Sequence, residues 1–328
     1  MNKHDNEYHK RYDKMLKDVD SLFDDTSERV SRAASNAGIK PDDVFKLASY
    51  PAVSRKVDGI ISDFGARLNI IIKTGVTDVW GISNLKNDEM LTGIFGDSVP
   101  KVYAVHNLDA LDAFLNVKRS GMTTSERVWN IQGGLRSEME RCIDAAIADG
   151  KGAPELARDI KKYLRNPDML FRRIRDKNGE LQLSSAAKDY HPGIGVYRSS
   201  YQNALRLART ELNKAYRKAD WLRWQSMDFV VGYEIVTSRS IGVCELCSTL
   251  EGSYPKNFYF EGWHPACRCV CIPIFASEDP TAILDGDFSD RQPPLPGVFS
   301  AWVTANSGNI ARKAPQFIED NMKYVKFI

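Results

Sequence analysis

The sequence predicts a mainly α protein with a small α+β domain. The plan is a helical N-terminal region, a long helix followed by short antiparallel strands, and an extended C-terminal arm. Three observations carry this. Apolar residues recur at three- and four-residue steps through 53–74, 128–147 and 201–222, the period of a helix with one buried face. Composition switches to β-branched and aromatic residues at 229–238 and again at 269–275, as strands require. Five of the six cysteines fall between positions 244 and 271, which points to one small, specialised region.

Elements follow in chain order. Residues 1–35 carry sparse apolar positions (Tyr8, Tyr12, Leu16, Val19, Leu22, Phe23) at helical spacing, an amphipathic helix that docks on its own chain or on a partner. In 53–74, Val57, Ile60, Ile61, Phe64, Leu68, Ile71 and Ile72 form one face, and Gly75 is the expected stop. KVYAVH at 101–106 reads as a strand before a short helix. Thr123 and Glu126 stand three apart, a capping box, ahead of a helix carrying Val128, Ile131, Leu135, Met139, Cys142, Ile143 and Ile147. Cys142 reads there as a small buried hydrophobe. Pro154 opens a second helix that ends before Asn166-Pro167, completing an αα-hairpin. Residues 174–197 hold turn formers and no helical period, a loop or small hairpin and a boundary. From 198 to 225, Tyr201, Leu205, Ala208, Leu212, Ala215, Ala219 and Leu222 make one apolar stripe, with alanines that permit close approach. Residues 276–297 are acidic and Pro-rich, an extended arm, and a short helix is expected near 310–324. The expected domains are a helical region at 1–120, an αα-hairpin region at 121–175, a strand-and-cysteine domain at 190–275, and a Pro-rich arm with a short helix at 276–328.

Composition bounds the function. The 328 residues are 43% apolar and 27% charged, a globular balance at a length for about two domains. This excludes a wholly disordered, collagen-like or coiled-coil chain. No window approaches 18 consecutive apolar residues, so no membrane-spanning helix is expected. The start, MNKHDNEYHKRYDKMLKD, has no apolar core, so neither a secretory signal nor a membrane anchor is expected. In a reducing cytosol, clustered cysteines more often bind metal than form disulfides.

Charge is uneven. Residues 151–224 hold 17 Lys and Arg against 8 Asp and Glu, a net of +9, and the remainder nets −7. A basic middle in an acidic chain suggests a polyanion-facing surface. Its candidate nucleic-acid contacts are Arg172, Arg173, Arg175, Arg206, Lys214, Arg217 and Lys218. Solvated helix faces account for such an excess equally well.

The cysteine region reads Cys244-x-x-Cys247, then 16 residues, then His264-Pro-Ala-Cys267-Arg-Cys269-Val-Cys271. A C-x-x-C turn brings two sulfurs onto one ion, and a second knuckle completes a tetrahedron. The candidate ligands are Cys244, Cys247, His264 and Cys267, with Cys269 as substitute. One structural Zn²⁺ is the expected cofactor, giving a zinc-knuckle domain. Arg268, between two cysteines, is placed to offset thiolate charge. Reduced cysteines packed without metal are the alternative.

Arg209-Thr210-Glu211 in a helix, a strand behind it, Val243-Cys244-Glu245-Leu246-Cys247, Leu250-Glu251-Gly252 and His264-Pro265-Ala266-Cys267-Arg268-Cys269 together resemble the phage Mu F-type head-morphogenesis family. The resemblance covers about residues 198–275, a quarter of the chain. It implies a minor structural and assembly protein of a tailed-phage or prophage head. Such a protein associates with the portal and other head proteins, and some members contact packaged DNA without sequence preference. Its place would be the virion interior or procapsid, and the bacterial host cytoplasm during assembly. Family members also occur as carriers of toxin domains, but residues 276–328 are too few for an ordinary enzyme domain. Arg209, Thr210 and Glu211 read as a structural polar network that fixes the helix against the knuckle.

The contrasting readings are a metal-dependent nuclease on a treble-clef-like zinc site and a phage-delivered effector. Phosphodiester hydrolysis wants a base beside an open metal. The chain has five histidines, His4, His9, His106, His191 and His264, and no H-x-x-H, H-E-x-x-H or H-N-H run accompanies the cysteines. With His264 as ligand, only His191 is left near the motif. No catalytic residues, membrane contact or small-molecule substrate are therefore expected.

Overall fold

A computed structural model gives the fold. It describes residues 3–36, 46–119, 121–148, 151–167, 173–175, 177–183, 198–237, 243–277, 282–283, 288 and 291–325. Arg172 and His191 lie outside the described residues, as does the expected loop beyond 183 up to 197. Among the described residues the chain is mainly helical, with one three-stranded sheet and one two-stranded hairpin. It forms two compact units, each assembled from separated segments: Met1–Tyr12, Gly75–Leu115 and Arg209–Ile328 in one, Asp13–Thr74 and Asn116–Ala208 in the other. These limits fall elsewhere than the boundaries at 120, 175, 190 and 275 read along the chain. Three helices, α1 (Lys3–Ser35), α2 (Pro51–Phe95) and α6 (Ser200–Gln225), continue from one unit into the other. In α1 and α6 no Gly or Pro stands at the division, whereas in α2 it falls at Gly75.

The helical unit holds residues 13–35 of α1, 51–74 of α2, α4 (Thr124–Ala148), α5 (Ala153–Arg165), the hairpin β1 (Arg173–Arg175) and β2 (Leu181–Leu183), and the start of α6. Its core takes Val19, Leu22 and Phe23 from α1, Val57, Phe64, Leu68 and Ile72 from α2, and Ile131, Leu135, Met139 and Ile143 from α4. The Phe23 ring meets Phe64 and Tyr201 edge-on at 4.8 and 5.2 Å. The capping box forms as expected: Glu126 N–H donates to Thr123 Oγ1 at 3.2 Å, and Thr123 N–H donates to the Glu126 carboxylate at 2.6 Å. Cys142 is buried. At Gly65 a Cβ would stand 2.0 Å from the Gln132 side-chain amide, so glycine leaves room for that amide, which donates to the Ile61 carbonyl at 3.0 Å. The basic helix α5 is answered by acids of α1: Arg165 reaches Asp20 and Asp24 at 2.8 Å, and Lys161 reaches Glu28 at 2.9 Å.

Two expectations at α2 are corrected. The helix does not stop at Gly75 but runs on to Phe95, taking in Trp80. A helix-interior glycine costs only about 1 kcal/mol, and Val76, Val79 and Trp80 continue the buried stripe. KVYAVH is not a strand; its first residues form turns. The His106 carbonyl accepts from Trp80 Nε1 at 3.1 Å and Asn84 Nδ2 at 3.2 Å, so helix side chains, not a ladder, satisfy it. The short helix α3 (Leu108–Asn116) follows.

The mixed unit centres on α6 and a sheet of order β4-β3-β5, antiparallel throughout. Its strands are β3 (Val230–Val236), β4 (Gly252–Pro255) and β5 (Val270–Phe275), with helix α7 (Glu245–Thr249) between β3 and β4. In this unit α6 buries more than its apolar stripe: Glu211, Asn213, Arg217, Asp220 and Arg223 are buried with Leu212, Ala215 and Ala219. Ser83, Lys86 and Asn87 of α2 all donate to the buried Asp220 carboxylate, which satisfies its charge.

The C-terminal region is not an extended arm. Helices α8 (Gly297–Ala305), α9 (Ser307–Arg312) and α10 (Gln316–Glu319) return to the sheet. Phe299, Ile310, Phe317 and Ile318 share one core with Trp224, Phe229, Tyr254, Phe258 and Trp263. A Cβ at Gly232 would meet Pro293 at 2.5 Å, so the Pro-rich segment lies against the strand. Among the described residues no helix is long and apolar enough to cross a membrane.

Candidate metal centre

The second knuckle is built by a turn. Ala266 has φ +58°, an uncommon conformation for a residue with a side chain. The Cys267 N–H closes the turn on the His264 carbonyl at 3.1 Å. Gly262, at φ +130°, lets the chain pass Arg217, whose Nη1 would lie 2.8 Å from a Cβ there. The first knuckle is the start of α7: Cys244 is its N-cap, and its Sγ accepts from Cys247 N–H at 3.4 Å.

The two knuckles converge. The His264 Nε2 lies 3.2 Å from Cys244 Sγ and 3.1 Å from Cys247 Sγ. Cys247 Sγ lies 3.8 Å from Cys267 Sγ. The donors form two groups, Cys244–Cys247–His264 and Cys247–Cys267–Cys269, each with its ligand atoms within 4.8 Å of one another. Cys247 belongs to both. All five candidate ligands are thus brought together, and they could bind a metal ion. Cys271 is not in either group. Hydrogen bonds from Cys247 and then Cys269 hold the Cys267 thiol far below the usual thiol range, against burial and with help from the Arg217 charge. The His264 Nδ1 stands 2.8 Å from the Pro265 carbonyl. An N–H there leaves Nε2 unprotonated toward the sulfurs, the tautomer a ligand needs.

One polar face of α6 grips the knuckle. Thr210 Oγ1 accepts from Ala266 N–H at 3.0 Å. Asn213 Nδ2 donates to the Cys267 carbonyl at 2.7 Å, and Tyr8 donates to Asn213 Oδ1. Arg217 sends Nε and Nη2 to the Cys269 carbonyl at 3.1 and 2.7 Å, Nη2 also to the Cys267 carbonyl at 2.7 Å, and Nη1 to the Glu261 carbonyl at 2.9 Å. Lys214 pairs with the buried Glu261 at 2.5 Å. Two expected nucleic-acid contacts, Lys214 and Arg217, therefore face inward and serve the knuckle. Arg268, expected to balance the thiolates, is exposed. Lys218 packs over the Trp221 and Tyr259 rings at 4.9 and 4.3 Å. Arg206 is half-buried on α6 in the helical unit, and Arg173 and Arg175 lie on β1. Of the expected polar network, Thr210 touches the knuckle, Glu211 is buried, and Arg209 has a buried Nε with no hydrogen-bond partner.

Asn213, Tyr8 and Glu261 were not among the sequence candidates. A signal for Asn213 was present: Thr210, Asn213, Lys214 and Arg217 recur at three- and four-residue steps, a polar face on a helix.

The fold and site together define a mainly helical protein with a small antiparallel sheet and a Cys/His cluster able to hold a metal ion. Compared with protein-family models, curated proteins and solved structures, the chain matches none.

Proposed function

We propose that this chain is a minor structural and assembly protein of a tailed-phage or prophage head, and that its Cys/His cluster holds one structural Zn²⁺. The carrying observation is that the residues of the resemblance act on one another. The hydroxyl of Thr210, from the R-T-E run, braces the turn of the H-P-A-C-R-C run, and that turn delivers its His and Cys donors to the C-x-x-C knuckle. Spacing alone did not require this contact.

Soft thiolates with an imidazole favour zinc. Two thiolates on a tetrahedral Zn²⁺ with ~2.3 Å bonds stand about 3.8 Å apart, the separation of the Cys247 and Cys267 sulfurs. A donor set drawn wholly from the protein suits a structural ion, and a three-stranded sheet of 4 to 7 residues per strand gains from such a clamp. The partners are the portal and other head proteins. Any DNA contact is non-specific and rests on Arg172, Arg173, Arg175, Arg206 and Lys218.

The test is sedimentation of procapsids and mature particles from cells that assemble heads containing this protein, with the chain quantified by mass spectrometry. Presence in procapsids at a low, fixed copy number is expected. Its absence from both particles overturns the assembly role. Elemental analysis of the purified chain tests the zinc.

A further inference from the structure

Arg217 is the charged group most tightly built into the knuckle. It is 6% exposed. Its hydrogen bonds all go to the backbone carbonyls of Glu261, Cys267 and Cys269, and among the described residues no carboxylate pairs with it. The ionisable groups that act on it electrostatically are Cys267, Tyr8, Cys271 and Cys269. A buried guanidinium needs a countercharge, and thiolates are what its surroundings offer. Its neighbours Lys214 and Glu261 pair with each other and leave it unmatched.

We propose that Arg217 is the built-in counter-cation of a three-cysteine, one-histidine metal centre formed by Cys244, Cys247, Cys267 and His264, with Cys269 beside it as an uncoordinated thiol. This rests on the metal reading above and assigns its ligands. Charge decides between His264 and Cys269. Three thiolates and a neutral imidazole around a divalent ion carry one net negative charge, which Arg217 cancels. Four thiolates would leave a charge that Arg217 does not cancel beside the buried Cys247, Cys267 and Cys269, which is disfavoured. Position agrees, because the His264 Nε2 already stands against both sulfurs of the C-x-x-C knuckle. Arg217 is thus a positioning and charge-balancing residue. Its planar fork spans three carbonyls at once, which a lysine does not do.

The experiment uses the full chain, loaded with Zn²⁺ for stoichiometry and with Co²⁺ for its thiolate-to-metal charge-transfer band. Cys269→Ser is expected to keep one equivalent of metal and an unchanged band. Arg217→Gln is expected to weaken binding about tenfold or more, the scale of lost outer-shell support. It should also move the band to longer wavelength, because sulfur electrons lose a neighbouring positive charge. Arg217→Lys keeps the charge and should hold the wild-type band even where stability falls, so it decides the matter if the glutamine variant does not fold. Metal loss in Cys269→Ser overturns the ligand set. An unmoved band and affinity in Arg217→Gln, or a band in Arg217→Lys displaced as far as in the glutamine variant, overturns the counter-cation role. A wild-type chain that takes no metal overturns the zinc reading itself.

Discussion

The hydroxyl of Thr210 accepts the backbone N–H of Ala266 at 3.0 Å, and Ala266 is a left-handed alanine with φ +58°. That conformation costs roughly 1–2 kcal/mol in an L-residue. It persists because both sides of the turn are tied: Cys267 N–H to the His264 carbonyl within the turn, and Ala266 N–H to α6 outside it. The turn in turn places His264 and Cys267 toward Cys247. A helix side chain thereby sets the geometry of the donor cluster.

Thr210→Val, near in shape but without the acceptor, should destabilise the mixed unit by about 1 kcal/mol or somewhat more. Thr210→Ser should stay close to wild type. Ala266→Gly, combined with Thr210→Val, should recover part of the loss because glycine adopts positive φ without strain. Urea midpoints read all three. A valine variant as stable as wild type would show that the hydroxyl does not hold the turn.

A fragment of residues 190–275, supplied with zinc, should fail to fold cooperatively. Its strands share a core with Leu91 of α2 and with Phe299, Phe317 and Ile318 of the C-terminal helices, and Tyr8 of α1 supports Asn213. Removing those segments exposes the aromatic face formed by Tyr254, Phe258 and Trp263. Amide dispersion in a proton–nitrogen correlation spectrum is the readout. A well-dispersed spectrum from the fragment would return autonomy to it.

The sequence made some of this legible and hid the rest for identifiable reasons. The capping box at Thr123 and Glu126, the αα-hairpin, β3 and β5 rest on local signals, and each is present. The five residues of the Cys/His cluster that could bind a metal were readable because ligand chemistry restricts residue type. Gly75 misled because a local stop signal competes with the burial of Val76, Val79 and Trp80 beyond it. β4, GSYP, was missed because Gly and Pro depress strand propensity, while pairing with β3 fixes it there. Arg217 was misread because charge composition does not reveal direction: a lysine or arginine on a helix counts the same toward a basic stretch whether it meets solvent or three buried carbonyls.

Stability should fall as pH rises from about 4.5 to 7 through one residue, Glu138. It is 8% exposed on α4, and it accepts from the Ser200 backbone N–H at 2.9 Å and from the Ser200 hydroxyl. Burial pushes its carboxyl from an ordinary value of 4.5 up to about 7, with the Ser200 bonds opposing. Below 4.5 both folded and unfolded forms hold the proton. Between the two values the unfolded chain alone releases it, so unfolding gains. Above 7 both are ionised and the trend ends. The full difference is roughly 3 kcal/mol. Other carboxylates trend the opposite way, such as Asp63, held low by its bond to Arg29, and Glu89, held low by its bond to Lys3. The comparison is therefore wild type against Glu138→Gln, which keeps an acceptor for Ser200 and cannot ionise. The two urea midpoints should converge toward pH 5 and separate by pH 7.5, the glutamine chain being the more stable. Parallel profiles would exclude Glu138 as the titrating group.

Cys247→Ser should be the most damaging single change in the donor cluster, because Cys247 alone belongs to both groups of ligand atoms. Its sulfur meets His264 on one side and Cys267 on the other, so its loss separates the C-x-x-C knuckle from the second knuckle as well as removing a ligand. Cys244 is exposed at the rim, and Cys244→Ser leaves Cys247, His264 and Cys267 in reach of one another through Cys247. Metal content after purification should therefore fall to near zero in Cys247→Ser, remain partial in Cys244→Ser, and stay at the wild-type level in Cys271→Ser, whose sulfur lies in neither group. A tightly bound ion stabilises the folded form by mass action, about 4 kcal/mol at a thousandfold excess over its dissociation constant. Chelation should then lower the thermal midpoint of wild type and of Cys271→Ser but not that of Cys247→Ser. Wild-type metal content in Cys247→Ser would remove it from the centre of the site, and loss of metal in Cys271→Ser would move the ligand set onto β5.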